Sequence, residues 1–117
     1  FVDYLDLPEF YAKSDIVVVP SEIYESFSYT VAQGMACGKA VIASEIGGIP
    51  ETTNYGNAGL LFEPGNVDQL TGKIEVLYAN TDIREEFGRK ARNYIVDYCS
   101  IESLKAKYIE FYQSILN

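Results

Sequence analysis

Short unbroken apolar runs alternate along this chain with stretches in which apolar residues recur every three or four positions. The runs occupy residues 15–19, 40–43 and 59–62, led by Ile16-Val17-Val18-Val19, Ala40-Val41-Ile42-Ala43 and Leu60-Leu61-Phe62. A strand that is apolar at successive positions is covered on both faces, so these runs predict buried parallel strands. Between them, Leu7 to Ala12 has Pro8 in place for a helix start, and Tyr29 to Cys37 reads as a helix stopped by Gly38, a residue suited to a left-handed cap. The outcome is a strand-helix-strand unit and an α/β fold class.

After Phe62 the turn Glu63-Pro64-Gly65 changes the period. Asn66 with Gln69 resembles a capping box opening a helix with Val67, Leu70, Ile74 and Leu77 on one stripe. Asp82 is placed to cap a second helix, with Ile83, Phe87, Ala91, Tyr94 or Ile95, and Tyr98 on its stripe. Ser100 opens a third, with Ile101, Leu104, Tyr108, Phe111 and Ile115. The tail is therefore three amphipathic helices. Ten Tyr and six Phe invite a carbohydrate-stacking reading, yet Tyr94, Tyr98, Tyr108 and Phe111 fall on those stripes, so core packing explains them better.

Composition narrows the function. With 117 residues the chain holds one domain or part of one, and no internal linker or repeat divides it. Seventeen acidic against nine basic residues give a net charge of -8, which repels nucleic-acid backbones. The sequence has no histidine, which removes Ser-His, Cys-His and His-zinc chemistry, and its two cysteines have no partner at metal-ligand spacing. This balance suits a reducing, cytoplasmic setting. No apolar run approaches the roughly 20 residues of a membrane span. The chain starts in strand-like sequence without Met, as an excised piece of a longer protein would.

The chemistry concentrates between Pro20 and Ala43. This stretch leaves the carboxyl end of one buried strand, crosses a polar loop and enters a helix, and that edge of an open α/β sheet is where ligands bind. Small residues at Ser26 and Ser28 allow close backbone approach, while the free N–H groups at the helix start suit an anion such as a diphosphate. Glu25 lies just before the helix and Gln33 one turn inside it, about 6 Å along the axis at about 1.5 Å per residue, so the two can flank one extended ligand. Taken alone, Glu25 also reads as a solvated residue near a helix dipole, Gln33 as a surface amide, Gly47-Gly48 as a plain turn, and Glu51 as a cap.

Glu25-Ser26-Phe27-Ser28, Gln33-Gly34-Met35-Ala36-Cys37-Gly38-Lys39-Ala40-Val41-Ile42-Ala43, Gly47-Gly48-Ile49-Pro50-Glu51 and Gly59-Leu60-Leu61-Phe62-Glu63-Pro64-Gly65 together resemble the retaining GT-B glycosyltransferases of the group 1 (family 4) type. The resemblance covers nearly the whole chain. It implies a Rossmann-like parallel sheet with flanking helices, the C-terminal nucleotide-sugar-binding portion of a GT-B enzyme over residues 1–117, with the N-terminal acceptor domain outside it. It assigns Glu25 to the donor sugar hydroxyls as the catalytic residue, and Gln33 to the nucleotide ribose. The backbone of Ser26, Phe27, Ser28, Tyr29 and Thr30 falls to the sugar and distal phosphate, and the Gly47-Gly48 loop lines the same cleft. The substrate is a nucleotide-diphosphate sugar, with no metal or other cofactor, and the acceptor is a sugar or lipid-linked hydroxyl in polysaccharide or glycolipid assembly. Such a protein works in the cytoplasm or peripherally at the inner membrane face.

Three positions depart from the family pattern: Gln33 stands for a Glu, Ser28 for a Gly and Ala40 for a Pro. No basic residue lies between Pro20 and Thr30 to grip a diphosphate, so the isolated stretch is expected to be inactive. The last helix is expected to leave part of its stripe exposed, available for dimerisation. A non-catalytic binding or scaffold module derived from a glycosyltransferase is the alternative, supported by Gln33 and Ser28.

Overall fold

The computed structural model describes residues 1–117. A 3₁₀ turn, Tyr4–Asp6, runs into helix α1, Leu7–Ala12, with Pro8 in its first turn. Strand β1, Ile16–Val19, leads to helix α2, Tyr29–Ala36, and strand β2, Ala40–Ser44. A short helix α3, Ile49–Thr52, precedes strand β3, Leu60–Phe62. Helices α4, Val67–Ala79, α5, Thr81–Cys99, and α6, Ile101–Leu116, complete the chain.

The three strands form one parallel sheet in the order β1-β2-β3. The middle strand β2 is buried at every position. Its Val41 and Ala43 face α2 and α5, where they join Val31, Met35, Ala91 and Ile95 in the larger core cluster. On the opposite face Ala40 and Ile42 meet Phe62 and Leu77, with Ile83 and Phe87 from the start of α5 packed against them. Gly88 lets α5 approach the α2–β2 turn closely, because a Cβ there would overlap the Gly38 carbonyl oxygen. Gly38 itself adopts φ +70°, the left-handed cap that stops α2.

The strand-helix-strand unit and the three terminal helices take the predicted order, with local differences. Continuous apolarity predicts strands buried on both faces, and only β2 is. Val18 on β1 stays 37% exposed. Asn80, not Asp82, caps α5: its side chain accepts from the Ile83 N–H, which starts the helix two residues early. The Asn66 cap forms with the Gln69 N–H, but the Gln69 side chain reaches the Glu63 N–H rather than closing a reciprocal box. Tyr94 and Tyr98 pack on the core as their stripe predicts. Tyr108 and Phe111 do not, since no residue of α6 is buried.

Candidate functional site

Residues 20–28 form an irregular loop from the carboxyl end of β1 to the first turn of α2. Within it Glu25 is half-buried and held twice. The Ser21 hydroxyl donates to its carboxylate at 2.5 Å, and the Gly48 N–H donates to its carbonyl at 2.7 Å. The second bond ties the loop to the turn after β2. That turn must be made of glycines: Gly47 has φ +59°, and a Cβ on either glycine would overlap the Glu25 or Ser26 carbonyl oxygen.

The turn is anchored from behind by α3. The Glu51 carboxylate accepts from the Tyr98 hydroxyl at 2.7 Å, and its carbonyl accepts from the Tyr94 hydroxyl at 3.0 Å. The two Tyr rings stack at 5.2 Å. Hydrogen bonding to Glu51, with burial behind it, pushes the Tyr98 phenol up to about 12. Glu51 therefore faces α5 and braces the loop; it does not reach into the cleft. Lys107 of α6 donates to the Tyr98 carbonyl and lies 5.2 Å from its ring.

Ser28 is the N-cap of α2, in extended conformation at φ -93° and ψ 105°, and its side chain makes no capping bond. The Tyr29 and Thr30 N–H groups have no protein acceptor. An uncapped helix start carries partial positive charge and open donors, the arrangement that receives phosphate. Ser26, Tyr29 and Thr30 are exposed and Phe27 is half-buried, whereas Ser28 is 2% exposed and turns inward. Phe27 and Tyr29 meet edge to face at 5.4 Å and line a cleft of about 700 Å³ with Gln33, Tyr98, Leu104 and Lys107.

Gln33 stands one turn along α2 on the divide between that cleft and a smaller one of about 260 Å³, walled by Tyr4, Leu7, Pro8 and Tyr11. Its Oε1 accepts from the Tyr11 hydroxyl at 3.3 Å. Burial is the main cause that raises the Tyr11 phenol above its ordinary value, so it stays protonated and able to donate.

Of the sequence-predicted residues, Phe27, Tyr29 and Gln33 line the larger cleft, while Glu25 and Ser26 lie in the loop before α2 with Gly47 and Gly48 packed against their backbone. No three His, Cys, Asp or Glu side chains converge as metal ligands. Sequence reasoning missed three supporting residues. Ser21 follows Pro20 in the motif and carried a signal as a small polar neighbour of Glu25. Tyr11 read only as one apolar position of α1, and Tyr98 only as core.

Residues 1–94 match the family described as glycosyl transferases group 1. The chain belongs to that family. Among curated relatives, N-acetyl-alpha-D-glucosaminyl L-malate synthase of Bacillus anthracis is 29% identical over 111 residues, covering 95% of this chain and 29% of that protein. Lipopolysaccharide 1,2-N-acetylglucosaminetransferase of Salmonella typhimurium is 34% identical over 102 residues, covering 86% of this chain and 26% of that one. A glycosyltransferase of Rickettsia africae superposes with a TM-score of 0.86 at 33% identity, over all of this chain and 31% of its own. Anabaena HepE, solved in complex with UDP, gives a TM-score of 0.86 at 26% identity over 93% of this chain and 30% of its own. The fold class is that of the GT-B glycosyltransferases, and the chain spans about three-tenths of the length of these group 1 relatives.

Proposed function

We propose that this chain forms part of the donor site of a retaining glycosyltransferase, which moves a sugar from a nucleotide-diphosphate sugar to an acceptor hydroxyl. The observation that carries the reading is the uncapped start of α2 placed directly after a Glu25 fixed by Ser21 and Gly48. Solved HepE complexes holding UDP and UDP-glucose support a donor of this class.

In this reading the distal phosphate rests on the Tyr29 and Thr30 N–H groups, and Glu25 accepts from the donor sugar hydroxyls. Charge grows on the departing diphosphate as the sugar leaves, so donors already aimed at it stabilise the transition state more than the bound substrate. Glu25 orients the sugar and offsets positive charge at its reacting carbon, without becoming a covalent nucleophile. The acceptor proton passes to a donor phosphate oxygen, and no metal takes part. The acceptor is a sugar or lipid-linked hydroxyl of polysaccharide or glycolipid assembly, met in the cytoplasm or at the inner membrane face. Residues 1–117 alone transfer no sugar, because Pro20 to Thr30 offers the diphosphate no cation.

The test is ligand-observed NMR and sugar transfer with the native full-length protein against UDP-, GDP- and ADP-sugars, in parallel with Glu25→Ala. Binding of one donor, with turnover falling about a hundredfold or more in the variant, supports the enzyme. A folded protein that binds none of them is instead a scaffold derived from a glycosyltransferase.

A further inference from the structure

Helix α6 buries none of its residues, and two of its side chains tie it back to α5. The Ser103 hydroxyl donates to the Asp97 carbonyl, and one turn further on the Lys107 ammonium donates to the Tyr98 carbonyl at 3.1 Å while lying 5.2 Å from the centre of the Tyr98 ring. A helix held so lightly opens locally at little cost. The other end of Tyr98 is fixed. Its hydroxyl donates to the Glu51 carboxylate, its ring stacks on Tyr94, and the Tyr94 hydroxyl donates to the Glu51 carbonyl. Glu51 belongs to α3, which closes on the glycine turn: the Thr52 N–H and hydroxyl donate to the Gly48 carbonyl at 3.1 and 2.9 Å. Gly48 in turn donates to the Glu25 carbonyl at 2.7 Å. A continuous line of contacts thus runs from α6 to the loop 20–28, and its middle has no slack, because no Cβ fits on Gly48.

We propose that Lys107, Tyr98 and Glu51 form a relay that couples the seating of α6 on α5 to the closure of the Gly47-Gly48 turn on the Glu25 loop. Lys107 and Tyr98 are positioning residues in this relay, acting on the loop only through α3. Lifting α6 loosens the turn, and seating it tightens the turn. The coupling is a property of the fold and stands whether or not Glu25 meets a donor sugar.

The test is hydrogen exchange followed by mass spectrometry on the native full-length protein, read in segments 20–28 and 45–53 with β2 and α4 as references. Lys107→Met keeps the stem over the Tyr98 ring and removes the cation. Exchange in both segments is expected to rise roughly threefold, as loss of one exposed hydrogen bond and one cation-ring contact allows, with β2 and α4 unchanged. Lys107→Arg keeps the cation and should exchange like the wild type. Tyr98→Phe severs the bond to Glu51 and is expected to raise exchange roughly tenfold, and adding Lys107→Met to it brings no further rise, since both act on one line. Lys105→Met, a control on the same exposed helix, leaves both segments as they are. Unchanged exchange in Lys107→Met, a rise of the same factor in β2 and α4, or effects that multiply in the double variant would each overturn the relay. None of these outcomes bears on whether the protein binds a nucleotide sugar.

Discussion

At the scale of single residues, the glycine turn makes the most exposed claim. Gly48 has no room for a side chain beside the Ser26 carbonyl, and its N–H closes the bond to Glu25. Gly48→Ala must push the two loops apart; chemical denaturation is expected to show a loss of about 2–3 kcal/mol, with donor affinity falling too. Ser44 is the opposite case. Its Oγ is fully buried at the end of β2 without a hydrogen-bond partner, so Ser44→Ala removes an unpaired polar atom and should stabilise the fold by about 1 kcal/mol. Tyr98 carries a pH signature. A phenol whose folded value lies at about 12, above the ordinary 10, holds its proton more tightly when folded. Its contribution is fully present below about pH 10 and is lost as pH rises through about 12. Tyr11, Tyr94 and Cys99 are raised as well, so stability must fall with alkali, and Tyr98→Phe should flatten that fall in urea melts run across this window.

At the scale of elements, the caps separate helices that support the fold from one that does not. Asn80 starts α5, whose Ala91 and Ile95 lie in the core, whereas Ser100 starts α6, which buries nothing. Asn80→Ala is therefore expected to cost about 1 kcal/mol of global stability. Ser100→Ala should speed hydrogen exchange within α6 and leave the global midpoint unchanged. Element order was readable because each signal is local: Gly38 stops α2, Asn66 starts α4, and β2 is apolar throughout. Burial was less readable. The stripes of α5 and α6 look alike in sequence, yet only α5 meets the sheet, and no local pattern encodes that. The start of α5 was misplaced because Asn80 and Asp82 are both good caps, and packing of the first turn selects between them. The loop that carries Glu25 and the helix that carries Gln33 were legible from the strand, turn and Gly38 stop around them. Tyr11 and Tyr98 were not, because their hydroxyls gain partners only through contacts 22 and 47 residues away.

At the scale of the whole molecule, an acidic chain combines a small closed core with one uncovered amphipathic helix. Tyr108, Phe111 and Ile115 are 62%, 58% and 62% exposed on α6, and no helix is long and apolar enough to cross a membrane. Such a surface favours association. Phe111→Ser with Ile115→Ser should reduce concentration-dependent self-association of residues 1–117 in sedimentation experiments, while the thermal midpoint stays in place. An unchanged association constant would rule this face out as a dimer contact. The loop, glycine turn and α3 beside the start of α2 are held by bonds that span the fold, from Gly48 to Glu25 and from Tyr98 to Glu51.

The most direct test of the account is a crystal structure of the native full-length protein with an unreactive analogue of the nucleotide-sugar donor it binds. Phosphate oxygens are expected within hydrogen-bond distance of the Tyr29 and Thr30 N–H groups, with sugar hydroxyls on the Glu25 carboxylate. A diphosphate seated away from the start of α2, with Glu25 touching no part of the donor, would contradict it.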